Sequence, residues 1–85
     1  MRIQTLVLTP KIFEQVDQTI KALEFRNGVV RESVNCQKGN RFGMKGNTYT
    51  ISYGNVGRWS VFQKEMSSLW VEINRAHPET IWRGK

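Results

Sequence analysis

The longest periodic stretch of the chain follows Thr9-Pro10 and has the spacing of an amphipathic helix. Apolar side chains recur every three or four residues, and charged side chains occupy many of the positions between them. Thr9 can cap the first turn, and Pro10 suits the first helical position because it has no N–H to lose. Asn27-Gly28 tolerates the left-handed conformation that ends helices. The pattern predicts one helix whose buried stripe consists of Ile12, Phe13, Val16, Ile20 and Leu23.

Three shorter stretches have the pattern of β-strands. Ile3 to Leu8 carries apolar residues on both parities, which predicts an inner strand largely covered on both faces. Residues 28–38 alternate weakly, as a half-exposed antiparallel strand does. Residues 48–53 alternate most clearly, with Tyr49, Ile51 and Tyr53 on one face and hydroxyl side chains on the other.

The segment that follows Gly57 fits two structures. Its first residues, 58–63, have the composition of a returning strand, but the apolar positions keep helical spacing as far as Ile73. Ser60 followed by Gln63 also has the form of a capping box. We therefore expect a helix from about Val61 to Ala76, stopped by His77-Pro78, and a flexible tail over residues 79–85.

These elements predict an α+β fold in which two helices pack on one face of a small antiparallel sheet, in the order β-α-β-β(-β)-α. At 85 residues the chain is one domain, residues 1–85. A domain of this size buries roughly 60–65% of its unfolded surface. Association with a partner, or with itself as a homo-oligomer, is therefore an expected further source of stability.

Cysteine content and hydropathy bear on the compartment. The single Cys36 excludes an internal disulfide and leaves too few ligands for a zinc site. The polar start of the chain does not resemble a secretory leader, and no apolar run approaches the roughly 20 residues that span a bilayer. The sequence predicts a cytoplasmic protein without a membrane partner.

Charge is the strongest functional signal, because the chain has a formal net charge of +6 and no acidic residue between Glu32 and Glu65. Cations, aromatic rings and glycines alternate in this acid-free stretch. Cations displace counterions from a phosphodiester chain, rings stack on unpaired bases, and glycines allow close approach. We predict an RNA-binding surface formed by Lys38, Arg41, Phe42, Lys45, Tyr49, Tyr53, Arg58, Trp59 and Lys64. The two tyrosines share their strand face with Ile51, so they form a stacking platform only if that face is open; otherwise they are core.

Catalytic and cofactor motifs are not recognisable. His77 is the only histidine and precedes a proline at a helix end, where capping is its common role. Glu65 and Glu72 lie two helical turns apart, about 10 Å along the axis, as on a solvated face. The glycines match neither a P-loop nor a dinucleotide fingerprint. We expect no catalytic residue, metal or cofactor.

The order β-α-β-β-β-α resembles a double-stranded-RNA-binding domain with an added first strand, although the basic cluster of that family is reduced here to Lys64, which Glu65 follows. In size, charge and general character the whole chain resembles the small counter-defence proteins of T-even bacteriophages. It is similar in kind to the basic, RNA-binding phage inhibitor of the ToxN endoribonuclease toxin. That resemblance implies a host-cytoplasmic protein that acts through RNA, with a nuclease toxin as protein partner.

Three hypotheses follow for the function. The leading one is a non-catalytic protein that binds single-stranded or structured RNA, in the role of an antitoxin-like inhibitor. The second is a small endoribonuclease of the RelE type, whose chemistry would use Tyr49, Tyr53, Arg41 and Arg58. The third is a protein-only inhibitor that docks on an acidic partner surface through the same cations.

Overall fold

The computed structural model describes residues 2–39 and 46–84. In chain order, the described elements are β1 (Arg2–Leu8), α1 (Pro10–Asn27), β2 (Val29–Gln37), β3 (Asn47–Val56), α2 (Trp59–Ala76) and β4 (Ile81–Gly84). Neither α1 nor α2 is long and apolar enough to cross a membrane. The predicted contacts Arg41, Phe42 and Lys45 lie outside the described residues.

The four described strands form one sheet in the order β2-β3-β1-β4, and each neighbouring pair is antiparallel. Each helix therefore connects two parallel strands that have one antiparallel strand between them. Two such interleaved units make the split β-α-β, or ferredoxin-like, arrangement. The expected α+β class is confirmed, and β1 is an inner strand as its apolar pattern predicts.

Both helices cover the same face of the sheet. On that face β1 contributes Leu6 and Leu8 and β3 contributes Tyr49, Ile51 and Tyr53. Their partners in the core come from α1 and α2, and the buried helical members are Ile12, Ile20, Leu23, Trp59, Phe62, Met66 and Trp70.

The predicted caps of α1 are confirmed. The Thr9 hydroxyl accepts a hydrogen bond from the Ile12 N–H at 3.3 Å, and Gly28 ends the helix at φ 67°. A second glycine permits close packing at this end. A Cβ at Gly57 would lie 2.6 Å from the Asn27 carbonyl oxygen. The turn between β3 and α2 is therefore held directly against the end of α1.

The predicted start of α2 is wrong by two residues, and the alternative strand over residues 58–63 does not form. Arg58 occupies the N-cap without a side-chain hydrogen bond, and Ser60 lies inside the helix rather than at a capping box. Packing explains the earlier start. The Trp59 ring lies 5.4 Å from the Tyr53 ring and 5.3 Å from the Phe62 ring, so burying it fixes the first turn.

The predicted flexible tail is also wrong, because Ile81–Gly84 forms the edge strand β4 and pairs with β1. Trp82 anchors it: its indole N–H donates to the Oε1 of the buried Gln4, and its ring lies 6.4 Å from that of Trp70. Gln4 is 78 residues away in sequence and Trp70 belongs to the preceding helix, so the local pattern of residues 81–84 contains no sign of the strand.

Candidate nucleic-acid interface

The structure places three of the predicted RNA contacts in the core. Tyr53 is 0% exposed and Trp59 is 8% exposed. Tyr49 is buried as well, and its ring stacks on that of Phe13 at 4.1 Å. Because the strand face that carries the tyrosines is the one covered by the helices, the stacking role predicted for these three rings is corrected to a packing role.

The Tyr53 hydroxyl belongs to a buried polar cluster rather than to a binding surface. It donates to Glu24 Oε2, which also accepts from Arg31 Nε at 3.1 Å. Arg31 Nη1 in turn lies 2.7 Å from Asp17 Oδ1. We call Asp17, Glu24, Arg31 and Tyr53 the Arg31 cluster. It joins β2 to α1 and to β3.

The environment of the Arg31 cluster shifts the pKa values of Tyr53 and Asp17. Burial raises the pKa of Tyr53, and its hydrogen bond to the Glu24 carboxylate raises it further. Burial also favours the neutral form of Asp17, but the hydrogen bonds and charges of Arg31 and Lys21 outweigh it, so the pKa of Asp17 falls. A tyrosine that resists ionisation is a poor acid–base catalyst, which weighs against the use of Tyr53 in a RelE-type reaction.

Among the predicted cations that the structure describes, Lys38 lies apart from Arg58 and Lys64. Lys38 directly follows β2, whereas Arg58 follows β3, which runs in the opposite direction. The ten residues of β3 span roughly 30 Å at the usual rise per residue.

We name the two ends of the sheet after residues found there. The Lys38 end is where α1 begins and α2 ends, and the Trp59 end is where α1 ends and α2 begins.

Two arginines lie at the Trp59 end, and one of them contacts an aromatic ring. The Arg2 guanidinium lies over the Trp59 ring at 5.4 Å from its centroid. Arg58 precedes that ring, and its backbone N–H donates to the Asn27 carbonyl oxygen at 2.9 Å. Lys64 follows within the second turn of α2, exposed and on the side opposite the buried residues of that helix.

Acidic residues compensate part of this charge. Arg26, at the end of α1, lies 3.1 Å from Glu65 of α2 in an exposed ion pair. Glu32 lies over Gly54 and lines a groove of about 440 Å³ together with Gly28 and Gly57. Arg2, Arg58 and Lys64 are thus the exposed cations of this end that form no ion pair with another described residue.

An exposed aromatic ring at the same end does not figure in the sequence prediction. Phe25 is 89% exposed, in the last turn of α1. It is two residues beyond Leu23 and so lies roughly 200° around the helix from that buried position. The sequence does contain this signal, because it places a phenylalanine opposite the apolar stripe of an amphipathic helix.

The face of the sheet away from the helices is mainly polar. In the central strands it carries Ile3, Thr5 and Val7 of β1 and Thr48, Thr50 and Ser52 of β3, of which Val7 and Thr48 are buried. Over the described residues this face presents no aromatic ring, which distinguishes it from the four-stranded RNA-binding sheets that stack bases on their open face. The described residues also contain no group of three or more metal-ligating side chains.

No protein-family model matches the chain, and no curated protein sequence or solved structure matches it either.

Proposed function

We propose that the protein is a small, non-catalytic RNA-binding protein whose RNA contacts lie at the Trp59 end. The observation that carries the proposal is that three exposed cations, Arg2, Arg58 and Lys64, and the exposed ring of Phe25 all lie at that end. Cations neutralise phosphates, and an exposed ring adds stacking that tolerates any base. The ferredoxin-like fold itself neither supports nor opposes RNA binding, because proteins with unrelated functions share such folds.

The proposal keeps the antitoxin-like role that the sequence resemblance implies. In that role, binding to RNA blocks a toxin endoribonuclease in the host cytoplasm. The net charge of +6 favours rapid association with an RNA or with an RNA-loaded toxin.

The separation of the two ends allows a test with matched charge. One variant carries Arg2→Ala, Arg58→Ala and Lys64→Ala; its control carries Lys11→Ala, Lys38→Ala and Arg75→Ala, three exposed cations of the Lys38 end. Both lose the same charge. We expect the first variant to bind a fluorescent single-stranded RNA far more weakly and with a shallower dependence on salt, because phosphate contacts set that slope. The control should retain most of the affinity.

Phe25→Ala tests the stacking contact separately. It should weaken binding by about 1–3 kcal/mol without changing the salt slope, whereas Phe25→Trp should retain affinity. A control variant that loses more affinity than the first would move the site to the Lys38 end, and a separate Arg41→Ala, Lys45→Ala variant would then test the rest of the surface predicted from the sequence. Equal losses in the two variants would contradict a site confined to the Trp59 end.

The same titration separates the other two hypotheses. RNA that is shortened by the purified protein would favour an endoribonuclease. A protein complex that survives nuclease treatment would favour docking on an acidic partner. If the wild type does not bind RNA even at low salt, the RNA-binding proposal is wrong.

A further inference from the structure

The last part of β2 is an exposed and uncharged sheet edge. β2 is the outermost strand next to β3, and each residue from Ser33 to Gln37 is exposed. Val34 is 39% exposed, and Cys36 carries a free thiol. Charged side chains occur only at the two borders of this segment, Glu32 before it and Lys38 after it.

Proteins usually protect such edges with charges, prolines, bulges or short strands, because unpaired backbone groups are a template for another strand. β2 has two register shifts, but both precede Ser33, and its pairing with β3 is regular from there to Gln37. The opposite edge, β4, has only four residues, one of which is Arg83. Residues 33–37 have none of these protections.

We propose that this segment pairs antiparallel with the same segment of a second copy of the chain, about a two-fold axis at Asn35. In that register Ser33 faces Gln37 of the second copy, and Val34 faces Cys36. The flanking Lys38 comes level with Glu32 of the second copy, on both sides of the axis. The segment is thus complementary to itself in charge.

Charge complementarity favours a second copy as the occupant and favours this register. Two chains of net charge +6 repel each other, so they can associate only where like charges are not opposed. Opposite charges across neighbouring strands are stabilising, whereas like charges directly opposite are not. The two four-stranded sheets would become one continuous sheet, and the interface would be isologous, as in most homodimers.

An engineered disulfide tests the axis directly. Residues directly opposite in an antiparallel pair have Cα atoms about 4.5–5.5 Å apart, within the range that a disulfide bridges. In a Cys36→Ser background, Asn35→Cys should therefore give a covalent dimer under mild oxidation, seen on a non-reducing gel. Ser33→Cys in the same background is the matched control. It is equally exposed, but the two Ser33 positions would lie roughly 14 Å apart, so it should stay monomeric.

Sedimentation tests the noncovalent interface in the wild-type chain, after nuclease treatment and at raised salt so that bound RNA cannot bridge two copies. We expect a dimer, and we expect Val34→Lys to weaken it by about tenfold or more because the substitution occurs twice in a two-fold interface. Val34 is partly exposed, so circular dichroism should show the variant folded. A wild type that is monomeric at its highest soluble concentration overturns the proposal. So does a dimer that Val34→Lys leaves intact, or equal cross-linking of the Ser33→Cys control.

Discussion

The two edge strands of the sheet are attached by opposite chemistry. β2 is attached through charge: Arg31 contacts Asp17 and Glu24, both on α1. β4 is attached through a neutral contact, in which the Trp82 indole N–H donates to the amide oxygen of Gln4 on β1. Both contacts lie largely away from water, and in both the edge strand supplies the donor.

The difference between the contacts lies in what remains when the donor is removed. Without Arg31, the Glu24 side chain stays 93% buried as a carboxylate that has lost its cation, since only 7% of it is exposed. Without the Trp82 N–H, Gln4 retains an unpaired amide oxygen but no charge. An unpaired buried charge costs more than an unpaired buried amide. We therefore expect removal of the donor to lower the free energy of unfolding more at β2, the longer edge strand, than at β4.

The largest expected effect comes from Arg31→Met, which keeps much of the side-chain volume but removes the charge. We expect it to lower the free energy of unfolding by about 3–5 kcal/mol, as loss of one partner of a buried ion pair does. Urea denaturation would measure the change. Lys21→Met is the control: Lys21 also pairs with Asp17, at 3.2 Å, but its side chain is 61% exposed, so it should cost no more than about 1 kcal/mol.

A second substitution shows whether charge is the cause. Glu24→Gln added to Arg31→Met should recover part of the loss, because Gln can still accept the hydrogen bond from Tyr53 and carries no charge. If Arg31→Met costs as little as Lys21→Met, β2 does not depend on the Arg31 cluster.

A smaller effect is expected at the other edge. Trp82→Phe keeps an aromatic ring but removes the N–H, so it should cost about 1–3 kcal/mol by leaving the Gln4 oxygen unsatisfied, in addition to the lost ring volume. Gln4 Nε2 already has no hydrogen-bond partner among the described residues. Replacing both partners, with Gln4→Leu and Trp82→Phe together, should therefore cost less than Trp82→Phe alone. A double variant that is the least stable of the set would contradict the neutral-contact account.

These two edges also show what the sequence predicts well. α1 could be predicted almost to the residue because its stripe, its Thr9 cap and its Gly28 terminator are all local signals. β4 could not, because the four residues after Thr80 resemble a tail until Gln4 and Trp70 are known to be their neighbours. The start of α2 at Trp59 has the same origin: burial against Tyr53 sets it rather than a capping residue.

For the candidate site too, local features could be predicted from the sequence and long-range contacts could not. The net charge and the acid-free stretch can be read from the sequence, but the positions of the cations in space cannot. Because β3 runs antiparallel to β2, Lys38 and Arg58 lie at opposite ends of the sheet. The alternation of Tyr49, Ile51 and Tyr53 correctly showed that they share one face. It did not show which face the helices cover. Phe25 stands out in the helical pattern because it lies opposite the apolar stripe, but it is outside the acid-free stretch.

The smallest of the expected effects is one of pH, and it separates the charged edge from the neutral one. The pKa of Asp17 is lower in the folded chain than its ordinary value of 3.8, because its contacts with Arg31 and Lys21 outweigh its partial burial. A carboxyl whose folded pKa is depressed contributes stability above its unfolded pKa and loses it as the pH falls through the folded value. The difference in unfolding free energy between wild type and Asp17→Asn should therefore be constant from neutral pH to about pH 5 and shrink below pH 4. The difference between wild type and Trp82→Phe should not change over this range, because neither Trp82 nor Gln4 titrates. Urea midpoints at a series of pH values measure both differences, and an acid-sensitive Trp82→Phe difference would show that the two edges are not independent.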